Sequence, residues 1–308
     1  MIGMIQREFT VFQSIGWLVS MKPYDAFIQQ LEQLAREQPH LLSVTLSNIF
    51  TMRQIGTKTH GDLAEVAMTM FINQFLSGFS AKHVGKDLFR AKAQEEDIRV
   101  VNNTTGDTFF VSLKAYGAGP LQLSTDRDYQ MFPALKDALG KQKQEQSIQG
   151  KTLESLWKTS TFEKFTARNI LSLIYDERKQ KCNVLVFDFE RAKEEVKVIK
   201  LEGQEKRRKH SVFVFYDINN NYVCEVRYGD AKSNALQRGL WTHTIKAERY
   251  FRSITQGWIE YSKNEHLIEL FSHALIANSE VHTSALISLK DNVSKLKETV
   301  KLKKLVDK

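Results

Sequence analysis

An acid, Asp97, begins one extended run of residues, and a base, Lys114, closes the next. Between them Asn102-Asn103-Thr104-Thr105-Gly106-Asp107 has the composition of a turn, so 97–101 and 108–114 read as an antiparallel hairpin. Alternation places Phe109, Val111 and Leu113 on one face and Phe110, Ser112 and Lys114 on the other. Pairing then brings carboxylate and ammonium together although they are distant in sequence. That chemistry suits phosphodiester hydrolysis. A carboxylate holds a hard cation such as Mg²⁺, which keeps several waters and takes only one or two protein carboxylates. A nearby lysine orients the attacking water and offsets the charge on the phosphate. By itself the same pairing also describes a surface salt bridge.

Two flanking segments extend the set. Glu65, in Gly61-Asp62-Leu63-Ala64-Glu65, lies on a helix ahead of the hairpin that can lay it against the metal, or leave it solvated. After the hairpin, Ser124-Thr125-Asp126-Arg127-Asp128-Tyr129 offers Asp126 and Asp128. It reads equally as a helix start, with Ser124 or Thr125 capping and the acids favoured by the helix dipole.

These residues need elements to hold them. Pro23 to Glu37 has helical spacing at Phe27, Leu31 and Leu34. A second helix follows Thr59-His60-Gly61-Asp62, with an expected apolar face of Leu63, Val66, Ala67, Met70, Phe71 and Phe75, and ends by Gly78. Residues 80–96 read as a polar stretch, 116–120 as a glycine-containing break, and 136–151 as a helix end and linker. Strands are expected at 183–189, 211–216 and 222–228, and partial helix over 244–261. From Ala285, Leu286, Leu289, Val293, Leu296 and Val300 mark a basic amphipathic helix. The order predicts an α/β fold with a mixed central sheet flanked by helices. It divides into an N-terminal helical region (1–57), a core (58–150), a mixed region (151–284) and the C-terminal helix (285–308).

Composition bounds the function. The chain has 308 residues, 42% hydrophobic and 26% charged, enough to bury a core and unlike a disordered chain. A net charge of +8 favours a polyanionic partner. Cys182 and Cys224 each lie in an apolar run, which suits reduced core thiols rather than a disulfide scaffold or a zinc site. The apolar run 9–19 is interrupted by Gln13 and Ser14 and is too short to span a bilayer, so a cytoplasmic protein without a membrane helix is expected. Because Met21 opens a clean helical pattern, residues 1–20 read as an upstream extension of the frame. The histidines show no metal-ligand spacing, and neither a phosphate-binding loop motif nor a Gly-x-Ser-x-Gly elbow occurs.

The run from His60 to Phe75, then Asp97-Ile98-Arg99-Val100, then Ser112-Leu113-Lys114, resembles the PD-(D/E)xK nuclease core of type II restriction endonucleases. Gly61 to Glu65 fits the family's Gly-x-x-x-Glu helix, and Asp97 and Lys114 match its Asp and Lys. The resemblance covers about residues 58–130. Ser112 stands where most members carry an acid, and Glu96 where the family has Pro; Glu65, Asp126 or Asp128 would have to supply the missing carboxylate. The resemblance implies a restriction-endonuclease-like fold and a Mg²⁺-dependent, sequence-specific cleavage of double-stranded DNA. Asp97 and Glu65 would be metal ligands, with Ser112 and Lys114 beside them. It further implies a cognate DNA methyltransferase encoded nearby but not bound, and a homodimer if the target is palindromic.

Sequence reading would fall to 227–243. There Arg238 suits guanine, Asn234 and Gln237 suit adenine, Lys232 and Ser233 suit phosphates, and Gly229 and Gly239 permit close backbone approach. Lys206, Arg207 and Arg208, in a basic loop, would add phosphate contacts or form a solvated tip. Two other readings stand beside the nuclease: a non-catalytic nucleic-acid-binding protein, motivated by Ser112, and an interaction protein whose charge serves solubility.

Overall fold

The computed structural model describes residues 21–56, 59–84, 97–117, 119–140, 147–163, 169–203, 210–228, 232–235, 237–261, 264–277 and 283–306. Helices α1 (Pro23–Glu37) and α2 (Pro39–Thr51) both begin with proline, whose missing N–H is harmless in a first turn. Phe27 and Leu31 of α1 and Leu42, Leu46 and Phe50 of α2 are buried. The sequence reading did not anticipate α2. It carries no Asp, Glu, Lys or Arg, so no charged face marks the helical period.

Helix α3 (Thr59–Phe75) forms where expected but is rotated from the expected orientation. It buries Ala64, Met68, Phe71 and Ile72, while Val66 and Met70 are 46% and 60% exposed. The helix offers two apolar stripes, and packing against the sheet selects the one that carries Glu65 inward. Glu65 is consequently 8% exposed rather than solvated.

A seven-stranded mixed sheet follows, ordered β1 (Phe79–His83), β2 (Ile98–Asn102), β3 (Thr108–Tyr116), β6 (Ile170–Asp176), β7 (Lys181–Phe187) and β12 (Phe251–Ser253), with β13 (Ile259–Glu260) also pairing β7. All its pairings are antiparallel except β3 with β6. Part of the expected polar stretch is thus strand β1. Its edge is covered by α3: Asn73 donates its amide to the Ala81 carbonyl at 2.8 Å and accepts the Ala81 N–H at 2.7 Å, so a side chain replaces a neighbouring strand.

From Tyr116 the chain passes through Gly117 and Gly119 into a second sheet, six-stranded and antiparallel. Its order is β4 (Pro120–Thr125), β11 (Gly239–His243), β10 (Tyr222–Arg227), β9 (Val212–Asp217), β8 (Val196–Glu202) and β5 (Ser147–Gln149). Helices α4 (Met131–Gly140), α5 (Gly150–Trp157), α6 (Ser160–Glu163) and α7 (Phe189–Glu195) accompany it. The two sheets do not divide at residue 150, since β4 belongs to the second sheet and β6 and β7 to the first.

Two cores result. One face of the first sheet, with Ile98, Val100, Phe109, Val111 and Leu113, packs on α1–α3. Ile170, Ile174 and Phe187 on its other face join Phe132, Leu156, Phe213, Phe215 and Leu240 in the second core. Cys182 and Cys224 are free and buried, as expected, and burial pushes the Cys182 thiol up to about 12. Residues 244–261 hold one short 3₁₀ turn and short strands rather than a longer helix. The C-terminal helix, α9 (Thr283–Val306), pairs with α8 (Glu265–Ile276) and touches α2. Among the described residues no helix is long and apolar enough to cross a membrane.

Candidate functional site

The hairpin forms with the expected faces. Phe109, Val111 and Leu113 are buried, while Ser112 and Lys114 are half-buried on the opposite face. Asp97 stands just ahead of β2, where the register carries it opposite Ser112. Ladder pairing gives way there to a side chain. The Leu113 N–H donates to Asp97 Oδ2 at 2.7 Å, and the Ser112 hydroxyl approaches the same oxygen at 3.3 Å. No hydrogen bond from the described residues reaches Oδ1. Ser112 is therefore a donor to Asp97, where an acid in its place would be a second acceptor.

Burial raises the Asp97 pKa, and the Lys114 charge opposes that rise. The Glu65 carboxylate raises it further, while the Leu113 and Ser112 hydrogen bonds hold it down. So Lys114 and Glu65 both act on Asp97 through space, and Lys114 forms no direct ion pair with it among the described residues. Lys114 is aligned with Ser172 across the parallel β3–β6 pair. Ser172 is 1% exposed, and its hydroxyl has no hydrogen-bond partner among the described residues.

Glu65 is held from the other side. His83, the last residue of β1, places Nε2 3.0 Å from Glu65 Oε2. The Val84 N–H donates to the Asp97 carbonyl at 3.0 Å, so His83 and Asp97 are carried by adjoining backbone. The two groups lie where β1 ends and β2 begins. Neither His83 nor Ser172 was found from sequence. His83 lies in a five-residue strand too short to show a period, and the single polar residue of Ile-Leu-Ser-Leu-Ile gave no hint of its neighbour.

Asp126 and Asp128 do not join this site. Asp126 is buried, and its two carboxylate oxygens accept the Gln130 and Met131 N–H groups at 2.8 Å each. It is the cap of α4, displacing Ser124 and Thr125, which lie in β4. Asp128 is exposed. Among the described residues no three His, Cys, Asp or Glu side chains gather closely enough to hold a metal ion.

The expected DNA-reading segment is divided by burial. Lys232, Asn234 and Gln237 are exposed and Ser233 is half-buried. Gln237 is turned back by its N–H to the Asn234 carbonyl at 2.9 Å, and its own carbonyl accepts the Trp241 indole N–H at 3.0 Å. Arg238, expected to meet a base, is instead 7% exposed. It donates to the Arg127 carbonyl at 2.8 Å and lies over the Tyr129 ring. The close approach at Gly239 is to the protein itself, since a Cβ there would lie 2.2 Å from the Ser124 carbonyl oxygen. Lys206, Arg207, Arg208 and Gly229 lie outside the described residues.

A cavity of about 650 Å³, lined in part by Ile174, Asn183, Leu185, Thr244 and Trp258, contains none of the hairpin residues. No protein-family model, curated protein or solved structure matches the chain.

Proposed function

We propose that this protein is a Mg²⁺-dependent endonuclease of the restriction type, cleaving double-stranded DNA at the Asp97–Lys114 site. One observation carries the reading: Asp97 is half-buried among Glu65, Lys114, Ser112 and the Leu113 N–H, under opposing influences from a second carboxylate and a cation. Perturbed carboxylates of this kind concentrate at functional sites. The fold reading is restriction-endonuclease-like, supported by a helix bearing Glu65, a hairpin bearing Asp97 and Ser112-x-Lys114, and a mixed sheet with helices on its flank.

The donor set fits Mg²⁺. Asp97 Oδ1 is not engaged by described hydrogen bonds, Glu65 is the second carboxylate acting at the same place, and Mg²⁺ needs no third. When bound, the ion supplies Lewis acidity to the phosphate and acidifies water. The chain does the rest. Leu113 N–H and Ser112 fix the Asp97 carboxylate. Lys114 sets the attacking water against phosphorus and offsets the charge of the phosphate. The water gives up a proton to solvent as its oxygen forms a bond to phosphorus, a phosphorus–oxygen ester bond breaks, and the departing oxygen takes a proton from solvent. Exposed Lys232, Asn234 and Gln237, with Ser233 beside them, form the described part of the DNA-reading loop, and Arg238 shapes it from beneath.

The test is incubation with large unmethylated DNA and Mg²⁺. Discrete fragments are expected, abolished by a chelator. Asp97→Ala and Lys114→Ala should each lower cleavage by about 10²-fold or more, while DNA binding in Ca²⁺ persists. Full cleavage by either variant, or no cleavage by the wild type, would refute the assignment. Salt-sensitive DNA binding without cleavage would instead support the non-catalytic binder, which the Ser112 hydrogen bond to Asp97 favours.

A further inference from the structure

We infer that His83 is a positioning residue of this site, holding the Glu65 carboxylate so that Glu65 and Asp97 serve one divalent cation; the inference rests on the nuclease reading. His83 Nε2 and Glu65 Oε2 are 3.0 Å apart, with side-chain exposures of 31% and 10%. An ionised carboxylate only accepts hydrogen bonds, so Nε2 carries the proton and donates. A carboxylate this buried needs hydrogen-bond donors, and His83 is one. Without His83, Glu65 Oε2 loses this donor. With it, Oε2 is anchored.

Helix α3 is fastened to β1 at two separate places. Asn73 grips the Ala81 backbone, and two turns earlier along the same helix Glu65 meets His83. Strand β1 is in turn registered on β2, His83 opposite Ile98, next to Asp97. His83 therefore transmits the position of the β1–β2 pair to a helix carboxylate. Asn73 makes the purely structural half of the same fastening, and serves as its control.

The experiment measures Mg²⁺ binding by titration calorimetry and by the Mg²⁺-induced rise in Tm, without DNA, alongside the Mg²⁺ dependence of cleavage. His83→Leu should weaken Mg²⁺ binding about tenfold or more and shift cleavage to higher Mg²⁺. His83→Gln, which keeps an N–H donor, should recover most of the affinity. Asn73→Ala should lower Tm and leave Mg²⁺ affinity unchanged. Wild-type affinity in His83→Leu, or an equal loss in Asn73→Ala, overturns the role of His83 while leaving the nuclease reading intact. A wild type that neither binds Mg²⁺ nor cuts DNA overturns both. If His83→Leu does not fold, His83→Ala with added imidazole replaces it, and failure of imidazole to restore affinity overturns the inference.

Discussion

Asp97 carries its charge at a cost to the fold, because burial and a second carboxylate both oppose its ionisation. Burial and the Glu65 carboxylate raise its pKa above the ordinary value of 3.8. In the unfolded chain that rise is absent, so between the folded value and 3.8 the native state binds the proton first. Metal-free protein should therefore gain stability from Asp97 as pH falls through its folded pKa, and lack that gain at neutral pH. Asp97→Asn keeps an acceptor for Leu113 N–H and removes the charge. It should raise the metal-free Tm at neutral pH and flatten this part of the pH–stability curve, measured by calorimetry across pH. A lower Tm at neutral pH would contradict the assigned sign. Asp97, Ser112 and Lys114 were legible in the sequence because one hairpin carries them all, and a local turn fixes their faces. Glu65 was legible by type and spacing alone; its burial depended on which stripe of α3 the sheet selected. His83 and Ser172 were hidden because their neighbours are set by strand order, which no local pattern encodes.

At the scale of elements, end signals were informative and assignments between competing roles were not. Ser124-Thr125-Asp126 reads as the start of a helix, and a helix does follow. But Asp126 does the capping, and the residues before it belong to a strand. Asp126→Ala should cost about 1 kcal/mol, read as a lower denaturation midpoint, and should leave Mg²⁺ binding unaltered. Gly239 makes a similar point. Its φ of +128° and its contact with the Ser124 carbonyl place the need for glycine inside the sheet, between β11 and β4. Gly239→Ala should therefore destabilise by more than about 1 kcal/mol, whether or not DNA is present. If it reduced DNA affinity with an unchanged Tm, the glycine would be serving a ligand after all. Strands β1 and β6 are hidden in the sequence because a short run and a nearly continuous apolar run carry no clean alternation.

At the scale of the whole molecule, the order of elements predicts the α/β class but not how the chain is shared between sheets. A boundary at 150 follows from the Lys- and Gln-rich stretch near it, yet β3 obtains its parallel neighbour only from β6, on the far side of that stretch. A fragment of residues 58–150 leaves β3 without β6 and β4 without β11. It should show neither a cooperative thermal transition nor Mg²⁺ binding; a sharp transition by circular dichroism would show that the core is autonomous after all. The interleaving also bears on synthesis. As the polypeptide emerges from the ribosome, the Lys114 strand has an open hydrogen-bonding edge until more than fifty further residues have been added (170 minus 116). Nascent protein passes through an interval in which that edge invites intermolecular pairing. Any nuclease activity would also be delayed until translation had reached well past the residues that perform it.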